Sequence, residues 1–515
     1  MESLLLYIPV FLALYVLTSH FLHRIQNIPP TPLLSLPVLG HLYLLKTPLQ
    51  RTFARLSDRY GPILFLQLGS RPVVIVSSPS TAEECLTKND ISFANRPRTS
   101  VGRILGYNNT SLVWASYGDH WRNLRRISSL ELLSTHRLHA LSDIRRDEVR
   151  LLIKRLAADE EKRLDDFRVF DAKTTFVKLT LNIMMRMIAG KRYYDNDAAD
   201  LEEVKRFLEF QAEITRIGRK FNLADFLPFI RFMGGSRALE RDMAEVQRKR
   251  DGFIQSLIEQ HKRKMEIDPN CRSSSKEGDR KTLIEVLLSL QQAEPEYYTD
   301  EIIRSLMLVQ LLAGTETTVN TMEWALSLLL NHPEVLRKAQ AEIDERVGNT
   351  RLVDESDLPQ LPYLQSVITE TLRKYPPVPT LLPHESSEDC WVGGYRVPRG
   401  TMLLINAWGI QNDPKVWVDP EGFRPERFME IGGPRDGFRS LPFGSGRRGC
   451  PGEGLAMRVV GLTLGSLVQC FDWERPSEKM TDMTEGVGII LSKAIPLRAT
   501  CRPRRSMVKI FSDQI

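Results

Sequence analysis

A single cysteine sits in Phe443-Gly-Ser-Gly446-Arg-Arg448-Gly-Cys450-Pro-Gly452, a run that combines backbone freedom with positive charge. That combination suits a sulfur held as a thiolate against an iron porphyrin. A ligating sulfur must stay ionised, so the loop round it should offer backbone N–H donors and keep water out. Gly446 and Gly452 are expected to take positive φ angles and to bring the main chain where a Cβ would collide. Arg448 would set a guanidinium at the porphyrin edge for paired hydrogen bonds to a propionate, and Phe443 would shield the sulfur. The chemistry expected of such a loop is oxygen activation at a heme iron. A glycine-rich surface loop with an incidental cysteine is the plain alternative. The spacing F-x-x-G-x-R-x-C-x-G, met at every fixed position, speaks against it, as do three further clusters.

Ala313-Gly-Thr-Glu-Thr-Thr318 is a polar, small-residue interruption of an apolar run. Gly314 and threonine hydroxyls that bond back to carbonyls one turn earlier would permit a local opening of the helix. Glu316 and Thr317 would then relay protons for cleavage of dioxygen, although the run could also mark only close helix packing. Trp121-Arg-Asn-Leu-Arg125 sets an aromatic and a cation one helical turn apart, suited to a propionate or to a solvent-facing arginine on a packed tryptophan. Glu370-Thr-Leu-Arg373 puts opposite charges at i and i+3, and Phe423-Arg-Pro-Glu-Arg427-Phe428 follows.

Taken together, these motifs resemble the cytochromes P450, in the family's order and over nearly the whole chain. The resemblance implies a mainly α fold with a small β region, the P450 fold, carried behind an N-terminal transmembrane helix. It implies heme b with Cys450 as the axial metal ligand, and NADPH used indirectly through NADPH-cytochrome P450 reductase. It makes Trp121, Arg125 and Arg448 propionate partners, with His384 as a fourth. It makes Glu316 and Thr317 catalytic, and it joins Glu370, Arg373 and Arg427 in a buried charge network behind the cysteine loop. Leu36-Pro-Val-Leu-Gly-His-Leu, Phe93-Ala-Asn-Arg-Pro-Arg98 and Leu382-Pro-His-Glu-Ser-Ser-Glu-Asp-Cys390 are similar to plant members of the isoflavone-hydroxylase-like group. That group implies a small apolar or phenolic substrate, foremost a flavonoid-type specialised metabolite that is hydroxylated or oxidatively coupled. Terpenoids, lignans and fatty acids are alternatives. A P450-like peroxide isomerase or dehydratase would need neither reductase nor proton relay, and a heme sensor would need no Thr317. By analogy with the family, the pocket draws on Arg103 to Tyr107, Phe207 to Ile214, Val309 to Ala313, Val378 to Leu382 and Val487 to Ile489.

The elements that must position these groups are mostly helical. Apolar residues recur at helical spacing from about Leu201 to Ile217, Leu239 to Lys264 and Glu301 to Leu330. Ile63 to Leu68 and Val73 to Val76, joined by Gly69-Ser-Arg-Pro72, read as a β-hairpin. Pro269 to Lys281 is polar and reads as a connector. Leu223 to Met233 is apolar enough to dip into a membrane surface or to pack on the protein's own core.

The 515 residues are 42% hydrophobic and 26% charged, an ordinary globular composition. Residues 1–24 form the expected anchor: Ser3 to Leu22 is nearly uncharged and bilayer-long, with His23 and Arg24 behind it. The positive-inside rule leaves the body in the cytosol, and the reading is a single-pass protein of the endoplasmic reticulum membrane. Residues 25–40 are a proline-rich hinge, and 41–515 one catalytic domain. A net charge of +6, spread over 70 basic and 64 acidic residues, argues against nucleic acid. Arg122, Arg126 and Arg447 are candidates for docking an acidic electron donor. The six cysteines lack C-x-x-C spacing and are expected to stay reduced in the cytosol. Asn108-Asn109-Thr110 reads as a loop rather than a glycosylated site.

Overall fold

The apolar pattern from Glu301 to Leu330 becomes one 32-residue helix, Asp300–Asn331, in the computed structural model, which describes residues 2–157, 167–193, 198–218, 222–267, 281–431 and 437–513. The Thr299 hydroxyl caps its start by accepting from the Ile302 N–H, and Asp300 and Glu301 set negative charge in its first turn. From Thr318 to Leu330 every residue is buried, so this half has no solvent face and serves as the axis of the core. The helices Ala172–Ala189, Arg237–Ile267, Pro362–Lys374 and Glu453–Cys470 pack round it. The two other helices expected from periodicity appear as Ala198–Gly218 and Arg237–Ile267. Most of the connector from Pro269, with Cys271, lies outside the described residues.

The expected hairpin is present as Ile63–Leu68 antiparallel to Arg71–Val76, with Leu66 opposite Val73. A third strand, Met402–Ile405, runs parallel to the second, and a two-residue edge strand, His384–Glu385, closes the sheet antiparallel to it. This four-stranded sheet therefore carries His384 to the rim of the core. Arg168–Asp171, Arg498–Pro503 and Phe471–Glu474 form a second sheet, and Cys390–Val392 with Tyr395–Val397 forms a separate hairpin. Mainly helical architecture with a small β region is thus what the chain adopts.

The N-terminal segment is a 24-residue helix, Glu2–Ile25. Among the described residues no helix is long and apolar enough to cross a membrane. The side chains of residues 2–10 lie outside the description, and the large apolar ones that follow, such as Phe11, Leu14, Leu17 and Phe21, are exposed. The proline-rich stretch after it is tied down rather than free. The Phe65 N–H donates to Pro30 O at 2.8 Å, Arg396 N–H to Asn27 O at 2.8 Å, and Gly69 N–H to Leu39 O at 3.1 Å.

Candidate functional site

The cysteine loop is closed by its own backbone: the Cys450 N–H donates to Phe443 O at 2.8 Å. Gly446 takes the expected left-handed conformation, φ +67°, and a Cβ there would come within 2.7 Å of Leu86 O. The neighbouring Arg447 N–H donates to Asp90 Oδ1 at 3.0 Å, which pins the turn to the helix end beneath it. Gly452 differs from expectation, with φ at −90°. It stands at the start of the Glu453–Cys470 helix, and the backbone N–H groups of Gly452 and Glu453 hydrogen-bond to the Cys450 sulfur. A Cβ at Gly452 would meet only the Cys450 sulfur, at 3.8 Å, so neither strain nor crowding demands glycine there, and the donors come from a helix N-terminus rather than from a left-handed turn. Burial pushes the Cys450 thiol up, while those two N–H groups and Arg125 pull it down. The net result is a thiol raised above its ordinary value, and a bound metal ion would favour its ionised form.

Cys450 is open only because a cavity of about 280 Å³ reaches it. Phe443, half-buried, lines the same cavity beside the sulfur. One side of the cavity is cationic. Arg448 donates through Nε to Ala94 O at 2.7 Å and through Nη2 to Ala115 O at 2.6 Å, and its guanidinium lies 4.4 Å over the Trp121 ring. Trp121 therefore stacks under this arginine; its indole N–H is engaged by Leu112 O at 3.1 Å, so donation to a propionate is not what this geometry shows. His384 donates through Nδ1 to Phe93 O at 2.8 Å, and burial with Arg96 and Arg448 nearby lowers its pKa to about 3, so the ring is neutral. Burial also lowers Arg125, holds Arg448 at about 10, and brings Arg96 down to about 9.

Arg96 was not among the residues singled out from sequence. It is 7% exposed and donates to Val113 O, Leu382 O and Pro383 O, three carbonyls no local pattern could have indicated. Its place in Phe93-Ala-Asn-Arg96-Pro was the available signal. No acidic residue lines this cavity among the described residues, so the buried Arg96 and the half-buried Arg125 and Arg448 face it without a carboxylate. Buried cations demand counter-charge. A flat apolar macrocycle bearing two carboxylates and a metal fits this cradle: carboxylates toward Arg96, Arg125 and Arg448, metal toward Cys450.

The central helix forms another wall. Gln310, Ala313, Gly314 and Thr317, spaced i, i+3, i+4 and i+7, all line the cavity from one helix face. The expected opening of the helix is absent: it runs unbroken, and the Thr317 hydroxyl donates to Ala313 O at 2.7 Å. The space left by the missing side chain of Gly314 is filled by Met184, whose sulfur would lie 2.7 Å from an added Cβ. Glu316 is not a lining residue; its carboxylate turns toward Gln211, whose Nε2 lies 3.5 Å from Oε2. The structure thus brings Thr317 to the cavity and Glu316 to its flank.

The charge network assembles as expected. Glu370 and Arg373, both fully buried, meet through Nε–Oε2 at 2.7 Å and Nη2–Oε1 at 2.9 Å, and Arg427 adds an Nε contact to Oε1 at 3.1 Å. The Trp417 ring lies against both guanidiniums, at 5.3 and 5.9 Å. Of the anticipated pocket segments, Val309–Ala313 and Val378–Leu382 contribute lining residues, whereas Arg103–Tyr107, Phe207–Ile214 and Val487–Ile489 do not. Phe207 and Phe210 are core residues packed on each other and on Phe253, and Val487 and Ile489 face solvent. Leu112, Val113 and Ile183 take their place. Arg122 and Arg447 converge over the Tyr117 ring, at 5.6 and 5.5 Å, while Arg126 donates to Asn123.

Known proteins agree with this geometry. A profile of the family described as Cytochrome P450 matches residues 29–498. An isoflavone 2'-hydroxylase of Glycyrrhiza echinata is 46% identical over 515 residues, covering 99% of each chain. An isoflavone 3'-hydroxylase of Medicago truncatula is 48% identical over 93% of each chain. A (+)-piperitol/(+)-sesamin synthase of Sesamum radiatum is 48% identical over 94% of this chain and 92% of its own. A solved zebra fish cytochrome P450 with progesterone superposes with a TM-score of 0.73 at 29% identity, covering 89% of this chain and all of that one. A cysteine sulfur open to the cavity, a cationic wall beside it and these likenesses place the chain in the cytochrome P450 family, heme-thiolate monooxygenases that receive electrons from NADPH through a reductase partner.

Proposed function

We propose that this monooxygenase oxidises a plant phenolic of the flavonoid type, held in the cavity between Cys450 and the central helix. The carrying observation is that one cavity unites the sulfur, the unbalanced arginines and Thr317 under largely apolar walls. Relatives named as isoflavone hydroxylases and as a lignan-forming synthase support an aromatic, oxygen-bearing substrate. When bound, the heme activates dioxygen for insertion into a C–H bond. Cys450 would hold the iron and Phe443 would screen the sulfur, while Arg125 and Arg448 would take the propionates, with neutral His384 and Trp121 bracing the rim. Thr317 manages protons at the cavity wall, and Glu316 replenishes them from the flank it shares with Gln211.

The anchor reading belongs to the same proposal. The apolar stretch from Ser3 to Leu22, with His23 and Arg24 behind it, supports a single-pass helix in the endoplasmic reticulum membrane with the body in the cytosol. Phe229, Phe232 and Met233 are exposed, as are Leu33 and Val38 in the hinge. The hairpin turn joins these two patches: Gly69 N–H reaches Leu39 O and Ser70 N–H reaches Phe226 O at 2.8 Å. Both apolar surfaces thus border one turn, as membrane contact by this end of the body requires.

Reconstitution with a plant NADPH-cytochrome P450 reductase and a panel of isoflavones tests the function. The wild type should consume NADPH in step with hydroxylated product, and no turnover of any phenolic by fully heme-loaded enzyme defeats the substrate reading. In Thr317→Ala, NADPH oxidation should continue while product falls about tenfold or more and hydrogen peroxide accumulates. Arg125, whose guanidinium has no hydrogen-bonded protein partner among the described residues, gives a separate expectation. Arg125→Ala should release heme to a scavenging apoglobin roughly tenfold faster, since a charge-assisted hydrogen bond is lost.

A further inference from the structure

Gln310 carries a group that the fold leaves unused. It is 7% exposed and lines the cavity, yet its Nε2 is shut off from solvent without a hydrogen-bond partner. A buried amide donor left unsatisfied is costly and uncommon, and it points to a partner absent from the folded chain. Val309 and Ile183, which line the same cavity, carry no acceptor in their side chains, and Met184 carries only a weak thioether acceptor. Of the other polar wall residues, Thr318 and Ser445 carry only short hydroxyls, and most of the rest are engaged elsewhere. Thr180 Oγ1 donates to Phe176 O at 2.8 Å, Thr317 Oγ1 to Ala313 O, and the arginines belong to the propionate end.

Position sharpens the reading. Gln310 is seven residues before Thr317 on the same helix face, a rise of about 10 Å at 1.5 Å per residue. Nε2 is enclosed as placed, and a half-turn about the terminal bond, which exchanges Oε1 and Nε2, would be needed to offer its N–H groups to a bound molecule. A planar substrate with one end at the level of Thr317 then presents its far end to this amide, and an aryl-substituted bicyclic skeleton has that reach. We propose that Gln310 is a specificity-determining residue that donates a hydrogen bond to a carbonyl oxygen of the substrate, so that the site selects oxygenated aromatics and fixes which carbon faces the iron. This rests on the reading of the chain as a phenolic monooxygenase.

The test uses heme-loaded full-length enzyme and a matched pair of ligands, an isoflavone and the corresponding isoflavan, which lacks the ring carbonyl. Binding is followed by the Soret shift on displacement of water, and unfolding of the ligand-free protein by its thermal midpoint. Gln310→Leu should weaken isoflavone binding roughly five-fold and leave isoflavan binding unchanged or tighter. The thermal midpoint should hold or rise, because an unsatisfied buried amide has been removed. Equal changes for the two ligands, no change for either, or a lowered midpoint overturns the proposal, the last because it reveals a structural partner. If wild type binds neither ligand, the phenolic reading fails by itself. A terpenoid ketone and its parent hydrocarbon then carry the same comparison, and equal losses there overturn the role of Gln310.

Discussion

Cys450→Ser abolishes the red-shifted Soret band of the reduced, carbon-monoxide-treated protein and brings product formation to background. The expectation follows from what surrounds the sulfur. Two backbone N–H groups at a helix start, a nearby arginine and a closed loop stabilise a charged sulfur and leave a serine hydroxyl, far less acidic, protonated. The substitution is nearly isosteric, so the loop should keep its shape, and the far-UV spectrum should not change. Survival of the band in the serine variant would assign the iron to another side chain and dismantle the site described above.

Glu370→Ala should be the most destabilising of single substitutions in the charge network, by about 3–5 kcal/mol, because it strands two guanidiniums at a buried site. Arg427→Ala removes a partner that is 12% exposed at its side chain and leaves Glu370 and Arg373 as a neutral, doubly hydrogen-bonded pair. Its cost should be about 2 kcal/mol, that of hydrogen bonds to a charged group. Midpoints of urea unfolding, read by far-UV signal, check the order. Equal shifts for the two variants would mean that Glu370 is no more central to the network than Arg427. The network also holds loop carbonyls: Arg373 donates to Gln411 O at 2.6 Å and Pro420 O at 2.9 Å, and Arg427 to Val418 O at 2.8 Å. Failure at Glu370 should therefore loosen the segment leading into the cysteine loop, and heme loss should accompany unfolding.

The cysteine loop was legible because its spacing encodes local backbone demands: Gly446 must be left-handed, and its surroundings leave no room for a Cβ. Glu370 and Arg373 could be read as a pair because a helix fixes their separation, although only the fold reveals that both are buried. What escaped reading depends on distant chain segments. Arg96 is recruited by carbonyls from residues 113, 382 and 383, brought to it by the sheet edge and the loop before it. Phe207 and Phe210 carry the same apolar periodicity whether a helix faces a pocket or a core, and here the core wins through Phe253. The small-residue run at Ala313 looked like a break because glycine and threonine weaken isolated helices. In place, Thr315, Thr317 and Thr321 return their hydroxyls to carbonyls one turn earlier, and Met184 fills the space at Gly314, so the helix holds. Gly452 was read as able to take a left-handed turn; it stands instead at a helix start with φ −90°, and glycine content alone does not distinguish the two.

Three guanidiniums facing a hollow that has no acidic wall residue carry a consequence for the life of the chain before it works. Newly made polypeptide, lacking its prosthetic group, holds mutually repelling charges at its centre, and whatever binds only the folded form raises its stability by mass action. Loading with porphyrin should therefore raise the thermal midpoint of the protein.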